Sequence, residues 1–266
     1  MNRRSSGLWV VAHLLIMLSF VPSIVNATDS FILVSDVDDT VKITNVLDRD
    51  DLLKGALREL VFAGMPELYR QILGPGSSRQ RLLFLSCSPK LFLQRHVREI
   101  LNDSNFPDYE LNVRGVGELF YNCEDFKIAQ MTKKYAVSPN KFILIGDDTE
   151  RDAWVYAKFS ASRRDQVLAI YIHRITGRED LPAGSLLFLT AYDIAMHEYL
   201  AHRLSEQQAL AVGNAVLNSK DLAFLPNFQK CPAKYESIPA LPDSLATLKA
   251  RIEARLTEVC KSNKKK

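Results

Sequence analysis

Histidine is scarce in this chain, and surplus charge is scarcer. Only five of the 266 residues are histidine, and beyond the N-terminal segment they fall at His96, His173, His197 and His202. His197 and His202 are five apart, which misses the i, i+4 spacing of one helix face, so no histidine metal set is read here. Lysine and arginine together number 34 against 31 aspartates and glutamates. So even a balance excludes the one-signed field that steers a protein to nucleic acid. No internal repeat and no low-complexity tract occurs, which excludes a solenoid and a disordered array. Cysteine stops at four, too few for a disulfide-built scaffold.

What remains is an ordinary globular composition, 47% hydrophobic and 24% charged, long enough for one substantial domain with appendages. The N-terminus departs from it. Arg3 and Arg4 precede an apolar run over 8–25, and Val25-Asn26-Ala27 offers the small residues of a cleavage site, so residues 1–27 read as a secretory signal. Cleavage would remove two arginines and no acid, leaving 32 minus 31, or +1, in a secreted or periplasmic chain. If the segment is retained, its 18-residue apolar run sits at the lower limit for an anchor. In an exported chain the cysteines permit a disulfide, and Cys231 with Cys260 is the first pair to test. Cys87 and Cys123 read most simply as small buried packing residues. Lys264 to Lys266 read as a solvated basic tail.

After the signal, short apolar runs at 31–35, 82–86, 142–145, 167–172 and 186–189 alternate with amphipathic stretches. Pro66 opens one helix that stops at Gly74-Pro75-Gly76, and Leu93, Val97, Ile100 and Leu101 form the apolar face of another. Strands that are apolar throughout need cover on both faces, so the fold class is α/β with a doubly wound parallel sheet. Ligands in such sheets bind beyond the carboxyl ends of the strands. The expected division is a catalytic domain over 28–190 and a helical extension over 191–266, itself one helical stretch to about 217 and a last helix near 245–259.

The residues that carry chemistry follow the strands directly. The run 31–35 delivers Asp36, Asp38 and Asp39 within four positions, and clustered carboxylates repel one another unless a cation joins them; for oxygen ligands the hard ion Mg²⁺ is the natural choice. A second strand ends in Gly146-Asp147-Asp148-Thr149-Glu150-Arg151-Asp152, with Gly146 read as permitting a sharp turn. Between them Ser86-Cys87-Ser88-Pro89 puts hydroxyls at a third strand end, and Phe126-Lys127 opens a helix with a cation. Nucleophile, divalent ion, hydrogen-bond donors and a positive charge are the parts that phosphoryl transfer requires.

In order and spacing, Asp36-Val37-Asp38-Asp39-Thr40, Ser86, Lys127 and the 146–152 segment resemble the four motifs of the haloacid dehalogenase superfamily, over roughly 31–189. More narrowly, the runs 35–46 and 64–69, Ser86-Cys87-Ser88-Pro89 and Ile170-Tyr171-Ile172 are similar to the catalytic domain of actin-patch-type phosphatidate phosphatases. The resemblance implies a Rossmann-like domain in which Asp36 attacks phosphorus while Asp38 protonates the leaving group and then deprotonates water. It further implies Mg²⁺ bound by the Asp36 carboxylate, the Asp38 backbone carbonyl and Asp147. Asp152 would ligate through water or steady Lys127, and Ser86 and Lys127 would hold phosphoryl oxygens. Two departures concern the substrate: Lys90 follows Pro89 where relatives often carry an aromatic residue, and only the segment 44–64 leaves room for a small cap.

The expected reaction is therefore hydrolysis of a phosphomonoester, phosphatidate or another lipid-linked phosphate first, with peripheral membrane contact. Leu47, Leu52, Leu53 and the stretch 56–62 are the candidate apolar contact. An exported phosphatase of small monoesters is the alternative enzyme, and a non-catalytic divalent-ion or phosphoprotein-binding module the alternative of another class.

Overall fold

The computed structural model describes residues 31–48, 57–118, 120–235, 238 and 240–263. The signal-like segment, Leu52, Leu53, Ala56 and the Lys264 to Lys266 tail lie outside the described residues. Among the described residues no helix is long and apolar enough to cross a membrane.

Six strands make one sheet: β1 Phe31–Asp36, β2 Leu82–Pro89, β3 Glu110–Arg114, β4 Lys141–Asp147, β5 Val167–His173 and β6 Ser185–Phe188. Their spatial order is β3-β2-β1-β4-β5-β6 and every neighbouring pair is parallel. The predicted doubly wound sheet is thus observed. All six residues of β1 are buried, because alternate side chains enter different cores. Leu33, Ile143 and Ile145 face one core, while Ile32, Val34, Phe142 and Leu144 face the other. That two-sided burial is why the sequence reads as unbroken apolar runs.

The second core is closed by α3 Cys123–Lys134 and α4 Asp152–Ala161, which follow α1 Met65–Leu73 and α2 Lys90–Asp103 in the chain. The first is closed by α1, with α5 Ala191–Leu200, α6 Glu206–Leu217 and α8 Asp243–Asn263 packed beyond it; α7 Asp221–Phe224 is a single turn between the last two. The helical stretch expected over 191–217 is two helices. His202 takes φ 57°, and Ser205 then caps α6 by accepting the Gln208 N–H while the Gln208 side chain accepts the Ser205 N–H.

β3 was not among the expected strands. It lies at the sheet edge, where Glu110, Asn112 and Arg114 alternate with buried Leu111 and Val113, so it offers no continuous apolar run. Two disulfides are present where the sequence reading counted one. Cys231–Cys260 ties the 231 segment to α8 as expected, whereas Cys87 and Cys123 are bonded to each other and are only partly buried. The correction has a topological cause: 36 residues of chain separate them, but the end of β2 and the start of α3 meet in space.

Candidate active site

β1 and β4 are adjacent and in register, with Ser35 opposite Ile145, so their acidic ends emerge side by side. Alternation then decides which way each carboxylate points. Ser35 faces α1, where its hydroxyl lies 2.8 Å from that of Tyr69, and Asp36 faces α3. There Lys127, one turn into α3, donates to Asp36 Oδ1 at 2.6 Å and to Asp152 Oδ1 at 2.5 Å, with Glu150 Oε2 3.6 Å away. Burial on its own would lower the pKa of Lys127, but Asp152, Asp36 and Glu150 outweigh it and hold the ammonium above its ordinary range. Burial pushes the Asp36 carboxyl up while Lys127 pulls it down.

Gly146 serves a purpose other than the expected sharp turn. A Cβ there would lie 2.5 Å from the Cβ of Asp152, so glycine is what allows the first residue of α4 to close onto the end of β4. Asp152 Oδ2 then accepts the Asp147 N–H at 3.3 Å. Asp147 itself is buried and accepts from the N–H of Thr149 at 2.7 Å, from the Thr149 hydroxyl, and from Thr40 Oγ1 at 3.1 Å. Burial, with the charge of Asp152 added, pushes its carboxyl up to about 7.

Asp38 lies on the solvent side of this cluster. Its Oδ2 accepts from Ser86 and Ser88, both at 3.0 Å, and its Oδ1 accepts from Thr44 at 2.8 Å. The structure therefore brings Asp36, Lys127, Asp147 and Asp152 together and sets Asp38 and Ser86 against one another beside them. Three participants escaped the sequence reading. Thr44 orients Asp38. Buried Lys42 donates to Thr44 Oγ1 at 3.3 Å; burial lowers its pKa against the charges of Asp38 and Asp39. Glu150 lies beside Lys127, and its position within the acidic run was the only available signal.

The two remaining aspartates of the motifs build the frame. Asp39, at φ 56°, accepts the N–H groups of Thr44, Asn45 and Val46 at 2.9, 2.7 and 2.8 Å, and burial nevertheless raises its carboxyl to about 6. Asp148 accepts four consecutive N–H groups, from Ile175, Thr176, Gly177 and Arg178, and so fastens the loop after β5. His173 ends β5 with Nδ1 2.9 Å from the Asp39 carbonyl and Nε2 3.0 Å from Gln229 Nε2. A carbonyl only accepts, so Nδ1 calls for a proton, while Nε2 meets both the Gln229 amide nitrogen and, at 3.2 Å, the Leu189 carbonyl. Burial lowers the pKa of this ring to about 4, against the carbonyls of Asp39 and Leu189.

The carboxylates of Asp36, Asp147 and Asp152 can each present an oxygen within 4.8 Å of the others, and all three are buried. Asp36 Oδ2 is buried with no hydrogen-bond partner. An orphaned anionic oxygen amid like charges fits a divalent cation.

A parallel sheet whose adjacent strand ends present paired aspartates, hydroxyls and a buried lysine is the arrangement of a phosphatase domain, with acidic groups that could hold a divalent metal. The chain belongs to the family described as phosphatidate phosphatase APP1, catalytic domain, whose model matches residues 31–174, more than half of the 266 residues. No curated protein and no solved structure matches it.

Proposed function

We propose that this protein is a Mg²⁺-dependent phosphomonoester hydrolase of the haloacid dehalogenase type, acting through an aspartyl-phosphate on Asp36. The observation that carries this reading is the division of the Asp36 carboxylate: Oδ1 is held by Lys127 and Oδ2 is left without a partner. Oδ2 is the oxygen left for the cation, and Oδ1, oriented by Lys127, is the one presented to phosphorus.

Asp36 and Asp147, with the Asp38 backbone carbonyl, would hold the ion; Asp152 is engaged by Lys127. Bound there, Mg²⁺ supplies Lewis-acid neutralisation of the phosphoryl charge. Asp36 forms a bond to phosphorus as the bond to the ester oxygen breaks, and Asp38 delivers its proton to that leaving oxygen. Asp38 then takes a proton from water, whose oxygen attacks phosphorus and releases phosphate, restoring Asp36. Ser86 and Lys127 serve as donors to the phosphoryl oxygens.

For the substrate, a lipid-linked monoester such as phosphatidate is the preferred reading. A cleft of about 460 Å³ opens beside the cluster, with Leu47, Ile175 and Phe228 among its walls. Leu47 and Leu57 are 60% and 58% exposed, whereas Phe62 is 4% exposed and belongs to the core. Binding energy drawn from groups remote from phosphorus suits an open site. Two disulfides suit an exported protein. The test is kcat/KM for phosphatidate in mixed micelles against glycerol phosphate, with and without Mg²⁺. The lipid should be preferred and the ion required; equal or better hydrolysis of glycerol phosphate removes the lipid assignment.

A further inference from the structure

Cys87 stands between the two serines that hold Asp38, and Cys123 precedes Lys127 by four residues, one turn along the same face of α3. The disulfide between them, with Cα atoms 5.7 Å apart, joins the element carrying the hydroxyl donors to the element carrying the ammonium. Here the sheet pairs on either side of Cys87 but not at it. The pairing of β2 with β3 loses register between Ser86 and Pro89, so the ladder does not fix the backbone at Cys87. What holds it is the cystine and a bond from Arg114 Nε to the Cys87 carbonyl at 2.6 Å.

We infer that the Cys87–Cys123 cystine is a positioning device for the phosphoryl-binding half of the site, and that opening it with a dithiol weakens phosphate-ester binding. The inference rests on the phosphatase reading above. Both sulfurs are in partly exposed residues. A dithiol thiolate attacks one sulfur and breaks the S–S bond, forming a mixed disulfide; its second thiol displaces the other half. The cystine thus gains two electrons and two protons while the dithiol closes into a cyclic disulfide. The metal-facing carboxylates Asp36 and Asp147 lie on β1 and β4, outside this link. KM and inhibition by inorganic phosphate should therefore move while the half-saturating Mg²⁺ concentration does not.

Full-length protein is assayed on p-nitrophenyl phosphate before and after dithiothreitol, beside Cys87→Ser/Cys123→Ser and Cys231→Ser/Cys260→Ser, with far-ultraviolet circular dichroism to establish folding. The expected result is a rise of about tenfold or more in KM and in the phosphate inhibition constant, in reduced wild type and in the first double variant. That variant should not respond further to dithiothreitol, and the second should keep its KM. If the first variant does not fold, reduced wild type with unchanged circular dichroism carries the same comparison. Unchanged KM after verified reduction of Cys87–Cys123 overturns the inference, as does a parallel shift in the Mg²⁺ requirement. Absence of turnover in oxidised wild type instead overturns the phosphatase reading, and the inference with it.

Discussion

Lys127 donates to Asp36 across 2.6 Å in a place where neither side chain meets solvent. The pair sits in a cluster with Asp152 and Asp147, so one cation faces several buried anions. Replacing Lys127 with Ala leaves those anions without their counter-charge and should destabilise the fold by about 3–5 kcal/mol. Urea denaturation checks this, and Mg²⁺ should restore part of the loss. An unaltered midpoint would mean that the pair is not buried in solution.

Asp36→Asn should leave the fold intact and lower turnover by about a thousandfold or more, because an amide forms no acyl phosphate. Stability should hold or rise, since the change removes one of several repelling charges while Lys127 keeps Asp152. Phosphate release at saturating Mg²⁺ is the measurement, and near-normal turnover in a folded variant would place the nucleophile elsewhere.

Asp147→Ala should act through the metal. Losing an oxygen ligand should raise the half-saturating Mg²⁺ concentration by at least about tenfold. A titration of activity against Mg²⁺ for both proteins decides, an unchanged requirement removing Asp147 from the ligand set.

His173 predicts a pH effect on stability. Its pKa lies near 4 in the folded protein and about 6.5 when unfolded. Between those values the unfolded chain binds the extra proton, so stability rises with pH. The contribution is complete above about pH 6.5 and is lost as pH falls through about 4, amounting to about 3 kcal/mol. Unfolding free energies of wild type and His173→Gln over that interval should converge towards acid. Parallel curves would show that the ring is not held neutral.

Cys231→Ser/Cys260→Ser should cost about 4 kcal/mol, because the bond closes a loop of 29 residues in the unfolded chain. Thermal melts of the oxidised proteins measure it; a change below about 1 kcal/mol would mean that this loop is already restrained without the bond.

The sheet was legible because β1 and β4 bury both faces, which leaves unbroken apolar runs, and their acidic ends named the site. β3 was not, because an edge strand with one solvated face writes Glu110, Asn112 and Arg114 into its pattern. The break between α5 and α6 was hidden because Ala201 to Leu204 carry no glycine or proline, and the reversal rests on a left-handed His202. Residues that act by meeting across the chain were equally silent. Cys87 with Cys123, and Thr44 with Asp38, become partners only once the loops are folded back.

The in-register pairing of β1 with β4 constrains how this chain can vary in length. One residue inserted before Asp36 would carry it about 3.3 Å along the strand and turn it to the opposite face, away from Lys127 and towards Tyr69, where Ser35 now points. A substitution elsewhere cannot reverse such a slip. Insertions and deletions are therefore confined to the connections, and the segment after Thr44 can lengthen or shorten across descendants of this sequence while the spacing from Phe31 to Asp36 cannot.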